Sequence, residues 1–205
     1  MVESMFVLGV TGGIGSGKSE VTGYFRDHLD ASVCLADSIG AKLQEKDGPA
    51  YAPIVGAFGE DILYEDGRLD RKKLASIVFN NTEQLEILDN IVHPLVANCV
   101  QNEMERSREE GKKIFVLESA ILIEVGYKQF CDEVWFVKAP ERTRIKRLTE
   151  TRNMTETQAL SVMNRQMSDE EYEKNCDYTI RNNADIKTLY KRIEKRLLQL
   201  HLLED

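Results

Sequence analysis

Eight consecutive residues, Gly12-Gly13-Ile14-Gly15-Ser16-Gly17-Lys18-Ser19, follow the pattern G-x-x-x-x-G-K-[ST]. Glycines let the backbone turn so that successive N–H groups face one concavity and bind phosphate oxygens. A helix starting at the end of such a loop adds unpaired donors and a favourable dipole. Lys18 would reach the β- and γ-phosphates of a nucleotide, and the Ser19 hydroxyl can ligate Mg²⁺. The pattern needs a strand before it and a helix after it. Phe6–Val10 is an apolar β-rich run, and Val21, Tyr24 and Phe25 continue a helical pattern. A fortuitous glycine-rich turn is a poor competitor in that context.

Other residues could serve the same chemistry. Asp37 follows a short β-rich run, where the carboxyl ends of parallel strands open onto a ligand crevice. Its carboxylate can accept a proton from a hydroxyl or orient Mg²⁺, or it can cap the helix containing Ile39 and Leu43. Glu118 ends another strand run, as a metal-site acid or as a plain strand-end carboxylate. Arg147 and Arg152 lie in a charged helical stretch; guanidinium forks suit phosphate oxygens, but a solvated helix face uses the same residues. Arg142, Arg144 and Lys146 read as surface charges.

These groups need a scaffold. Strands are expected at Phe6–Val10, Ser32–Leu35, Ile114–Glu118, Glu133–Val137 and Tyr178–Ile180, alternating with longer helical patterns. Continuous apolar runs fit a parallel sheet covered on both faces. The fold class is therefore α/β, a five-stranded parallel sheet flanked by helices. No core strand is evident between Lys42 and Glu110. That stretch reads as helices, with a turn at Glu65-Asp66-Gly67, starts at Asp70 and Asn81, and an interruption at His93-Pro94. Thr155 and Gln158 form a capping-box pattern, and Ile186, Leu189, Ile193, Leu197 and Leu200 form the stripe of a closing helix. The expected organisation is a core of residues 1–41, 105–141 and 176–205, with helical insertions at 42–104 and 142–175. The first is long enough to bind a second substrate, and the second is short and charged like a mobile lid.

The 205-residue chain has 30% charged and 42% hydrophobic residues, an ordinary globular balance. A formal net charge of −8 repels nucleic acids and anionic lipids, so neither is an expected partner. Cys34, Cys99, Cys131 and Cys176 are widely spaced, which favours reduced thiols and a cytoplasmic setting. The apolar runs are too short to span a bilayer, and residues 1–5 carry no leader pattern. There is no guanine-reading N-K-x-D and no S-G-G-Q signature, and little length remains for motor machinery. A small-molecule kinase fits better, because its insertions would hold an acceptor in line with a γ-phosphate and exclude water.

The segment Val10–Ser19 resembles the P-loop of dephospho-coenzyme A kinases. Ala36-Asp37, Asp66-Gly67-Arg68-Leu69-Asp70-Arg71, Leu74, Val78-Phe79, His93-Pro94, Glu124, Arg147-Leu148, Arg152, Gln166 and Asp177–Asn182 continue the likeness in order over almost the whole chain. Three departures from the family pattern stand out. Glu20 replaces a usual threonine, Ser119-Ala120-Ile121-Leu122 replaces a proline-leucine-leucine run, and Cys176 replaces a common alanine. The resemblance implies a P-loop kinase fold like that of nucleoside-monophosphate kinases, with a helical acceptor-binding insertion and a helical lid. It implies ATP and dephospho-coenzyme A as substrates and Mg²⁺ as cofactor; no obligatory protein partner is evident in the sequence. Implied catalytic residues are Asp37, as general base or metal organiser, Lys18 and Arg147. Gly12 to Glu20, Arg152 and Asn182 would bind ATP; Thr11, Asp37, Arg71, His93 and Leu122 would bind the acceptor. Ser19, with Asp37 and Glu118 as further candidates, would hold the metal.

Overall fold

The computed structural model describes residues 5–79 and 81–203. The leader reading rests mainly on residues 1–4, which lie outside them. Five strands, β1 (Phe6–Thr11), β2 (Ala31–Leu35), β3 (Ile114–Glu118), β4 (Glu133–Lys138) and β5 (Tyr178–Arg181), form one parallel sheet in the order β2-β3-β1-β4-β5. The helices among the described residues are α1 (Lys18–His28), α2 (Ala36–Leu43), α3 (Tyr51–Phe58), α4 (Arg71–Val78), α5 (Thr82–Glu109), α6 (Glu141–Arg152), α7 (Glu156–Met163), α8 (Asp169–Asn175) and α9 (Ile186–Gln199).

Central β1 pairs with β3 from Phe6↔Ile114 to Val10↔Glu118, and with β4 from Leu8↔Glu133 to Thr11↔Phe136. Its apolar run is buried because helices cover the sheet. Leu8, Val10, Val116, Trp135 and Ile180 pack against Val21, Tyr24 and Phe25 of α1 and Leu189, Ile193 and Leu197 of α9. Two aspartates close the other end of the ladder. Asp132 Oδ2 accepts from Val7 N at 2.7 Å, and Asp177 Oδ2 accepts from Val134 N at 2.8 Å. Each satisfies a strand-end donor that a parallel neighbour cannot reach. The Asp177–Asn182 motif thus begins as a structural clasp.

The chain divides into two compact units: the described residues up to Cys34 with those from Ser107 onward, and Leu35–Arg106. In the second unit, Asp70 caps α4 by accepting from the amides of Lys72 and Lys73, and Asn81 Oδ1 accepts from Gln84 N. The expected interruption at His93-Pro94 does not occur, since α5 runs through Pro94. A proline inside a helix costs about 3 kcal/mol. Val92, Val96, Val100 and Met104 are buried at four-residue spacing along the same helix. Each such side chain contributes roughly 1.5–3 kcal/mol, so the stripe outweighs the proline.

Candidate active site

The phosphate-binding pattern forms the turn from β1 into α1. Gly17 takes φ 94° as the residue before α1, a left-handed conformation that favours glycine. A Cβ there would come within 2.1 Å of Asn182 Nδ2, so a side chain would also displace Asn182. Lys18 Nζ donates to Gly12 O at 2.8 Å, which brings the ammonium back over the loop. Ser19 and Glu20 are in the first turn of α1, where Glu20 N and Val21 N donate to Gly17 O at 3.1 and 3.4 Å. Thr11 Oγ1 and Ser16 Oγ are buried without a hydrogen-bond partner among the described residues. Two orphaned hydroxyls, one at the end of β1 and one in the loop that follows, are costly unless this turn serves a polar ligand.

Beside the loop, Glu118 ends β3, and its Oε2 accepts from Thr22 Oγ1 of α1 at 2.9 Å. This bond ties a carboxylate to the helix that carries Ser19. Among the described residues, no cluster of three His, Cys, Asp or Glu side chains could hold a metal alone. One hydroxyl and one carboxylate nonetheless fit Mg²⁺, which keeps several waters and takes the rest of its ligands from substrate phosphates.

The loop is gripped from outside by side chains that the sequence only partly singles out. Arg147 Nη1 donates to Gly15 O at 3.2 Å and to Ser16 O at 3.0 Å. Asn182, buried, donates from Nδ2 to Ser16 O at 2.9 Å, so its side chain braces the loop from the end of β5. Gln166 Oε1 accepts from Ile14 N at 2.7 Å, and Arg144 Nε donates to Ile14 O at 2.9 Å. Arg144, expected as a surface charge, is half-buried against the loop, and burial pulls its guanidinium below the usual arginine range. Its neighbours on the same helix explain the misreading, because Arg142 and Lys146 are exposed there. The Ile14 amide is occupied by its bond to Gln166, as the Ser16 amide is by Gly13 O at 3.1 Å.

The other expected residues take varied places. Leu122, expected to bind the acceptor, is fully buried, and a Cβ on Gly9 would lie 3.1 Å from its Cδ1. It is therefore a core side chain beneath β1. Arg152 is exposed in the last turn of α6. In the second unit, Asp37 is exposed in the first turn of α2, two residues past β2. The N-cap of that helix is Leu35, so Asp37 does not hold the capping position. Arg71 Nη2 donates to Ala41 O at 2.6 Å, and His93 Nε2 lies 3.4 Å from Asp89 Oδ1 one turn earlier on α5.

A parallel sheet with a phosphate cradle after its central strand, a basic residue in the cradle and helical insertions defines a P-loop kinase of small molecules. The family model of dephospho-CoA kinase matches residues 6–188. A dephospho-CoA kinase of Bacillus cereus is 38% identical over 97% of this chain and 98% of its own length. Among solved structures, a Thermus thermophilus protein superposes with TM-score 0.85 at 26% identity, covering 96% of this chain and 97% of that one. The dephospho-CoA kinase of Campylobacter jejuni gives TM-score 0.67 at 26% identity, covering 95% and 96%. The chain belongs to the dephospho-CoA kinase family.

Proposed function

We propose that this chain transfers the γ-phosphoryl group of ATP to the ribose 3′-hydroxyl of dephospho-coenzyme A, giving ADP and coenzyme A. The observation that carries the reading is a complete phosphate cradle, with two orphaned buried hydroxyls, in a chain of the dephospho-CoA kinase family. The loop amides and Lys18 hold the β- and γ-phosphates and stabilise charge on the transferred group. Asp37, just beyond the end of β2, accepts the proton of the attacking hydroxyl. Ser19 and Glu118 would hold Mg²⁺, which would neutralise phosphate charge when bound with the nucleotide.

In this reading residues 42–104 bind the acceptor through Arg71 and His93, residues 142–175 form the lid with Arg147 and Arg152, and the rest is the P-loop core. Thr11 contributes its buried hydroxyl at the junction of β1 and the loop. No helix among the described residues is long and apolar enough to cross a membrane. A cytoplasmic location accords with the free cysteines. The test is ADP release with dephospho-coenzyme A against nucleosides, nucleoside monophosphates and shikimate. Strong preference for another acceptor defeats the named substrate; binding of ATP without transfer to any acceptor leaves a regulatory nucleotide-binding protein.

A further inference from the structure

The contacts on Ile14 point beyond the reaction itself. Its backbone is held on both sides by the 142–175 insertion: Gln166 Oε1 accepts from Ile14 N at 2.7 Å, and Arg144 Nε donates to Ile14 O at 2.9 Å. The two clamping side chains also meet each other, with Arg144 Nη2 donating to Gln166 Oε1 at 3.3 Å. Ile14's side chain packs with Ile145 and Met154 against a small core of Leu148, Ala159 and Met163. Gly13 completes the fit. A Cβ there would stand 2.1 Å from Arg144 Nη2, so only glycine lets the guanidinium lie against the loop.

We propose that Arg144 and Gln166 are positioning residues for phosphoryl transfer, and that the insertion is moored to the phosphate loop through Ile14. The proposal rests on the kinase reading for its catalytic consequence but not for its structural one. An Ile14 residue tied at both polar groups cannot rotate freely, and its orientation fixes where the neighbouring loop amides point. Swinging residues 144–166 away as one rigid lid would break both bonds and strip Ile14 from its apolar seat. The insertion therefore sets the loop's geometry as well as flanking it.

Gln166→Met keeps side-chain length but removes the acceptor, and Gln166→Glu restores an acceptor oxygen. Two readings are taken on full-length protein without nucleotide: hydrogen exchange of the Ile14 amide by NMR, and tripolyphosphate affinity by calorimetry. Loss of one buried partner predicts exchange at Ile14 and tripolyphosphate Kd each raised about ten- to a hundredfold in Gln166→Met. Slow exchange returns in Gln166→Glu. The turnover number with ATP and dephospho-coenzyme A should fall alongside the affinity. A folded Gln166→Met protein with fast Ile14 exchange but unchanged tripolyphosphate affinity and turnover overturns the proposal. If Gln166→Met does not fold, Arg144→Met, which leaves the Ile14 N–H bonded, decides by the affinity and turnover readings in the same way. A wild-type protein that transfers nothing to dephospho-coenzyme A sinks the kinase reading alone, because the tripolyphosphate arm still tests the mooring.

Discussion

Replacing Arg147 by lysine separates two accounts of the charged insertion. Arg147 bonds the carbonyls of Gly15 and Ser16 through one nitrogen at 3.2 and 3.0 Å, and reaches Asn182 O only at 3.5 Å. A charge-assisted bond is worth about 1.5–3 kcal/mol, and the longest contact adds little. Ser16 O keeps its bond from Asn182 Nδ2 at 2.9 Å, and half-exposed Gly15 can turn to water. Lysine retains the charge, but its ammonium sits one bond short of the Nη1 position, so one carbonyl bond is expected to remain. The net loss is about 1.5 kcal/mol, or roughly tenfold in the equilibrium it supports. Since these bonds hold the loop itself, the variant should lose ADP affinity by about that factor, with kcat/KM for ATP falling at least as far. Calorimetry with ADP and steady-state kinetics at saturating acceptor provide the two numbers. An arginine that meets phosphate only in the transition state would lower kcat at wild-type ADP affinity, and that outcome refutes the brace.

Lys18→Ala should abolish measurable transfer and weaken ATP binding; near-wild-type turnover in a folded variant would remove the site assignment. Asp37→Asn should bind both substrates and lose about a hundred- to ten-thousandfold in kcat, the usual scale of general-base catalysis. Partial recovery at raised Mg²⁺ would mark Asp37 as a metal organiser instead. Glu133→Ala should destabilise the fold by about 3 kcal/mol in urea unfolding. That carboxylate is buried, accepts from Trp135 Nε1 at 2.6 Å and pairs with Arg196 at 2.7 Å, so its loss strands two donors. Burial pushes the Cys131 and Cys176 thiols and the Tyr24 hydroxyl up to about 12. Their neutral forms stabilise the fold fully below the unfolded-chain values near 9 and 10, and that stability is lost as pH rises toward 12. Tm should fall from about pH 8 to about pH 11, and less steeply in a Cys131→Ala/Cys176→Ala variant.

Much of the scaffold is legible because local pattern and global fold agree. Strand runs such as Ile114–Glu118 are short, continuous and apolar, and in a sheet covered on both faces nothing competes with that reading. Caps are equally direct: Thr155 and Gln158 form the reciprocal box their spacing announces. Pro94 misleads because proline's cost is local, whereas the burial that overrides it is set by partners elsewhere in the chain. Leu122 lies in the run that departs from the family's proline-leucine-leucine pattern, and only the fold shows that a side-chain-free Gly9 leaves it a place in the core.

The site divides along a similar line. Donors that face a ligand announce themselves through residue type, since only glycine, lysine and serine at fixed spacing build the cradle. The groups that hold the cradle do not, because they bind main-chain atoms, and any residue has those. Arg144 and Gln166 lie 130 and 152 positions from the Ile14 atoms they hold. Nothing in Ile14's own side chain specifies a polar partner; its backbone has one donor and one acceptor like that of nearly every residue. A sequence pattern can therefore identify which loop binds phosphate while staying silent on what keeps that loop rigid. The rigidity still matters to rate, because electrostatic stabilisation depends on donors that are in place before charge develops. If Arg147 and Asn182 hold Ser16 while Arg144 and Gln166 hold Ile14, single removals should weaken the loop partially. Combined removal of Gln166 and Asn182 should then cost more than the sum of the two, since each anchor limits how far the loop relaxes when the other is lost.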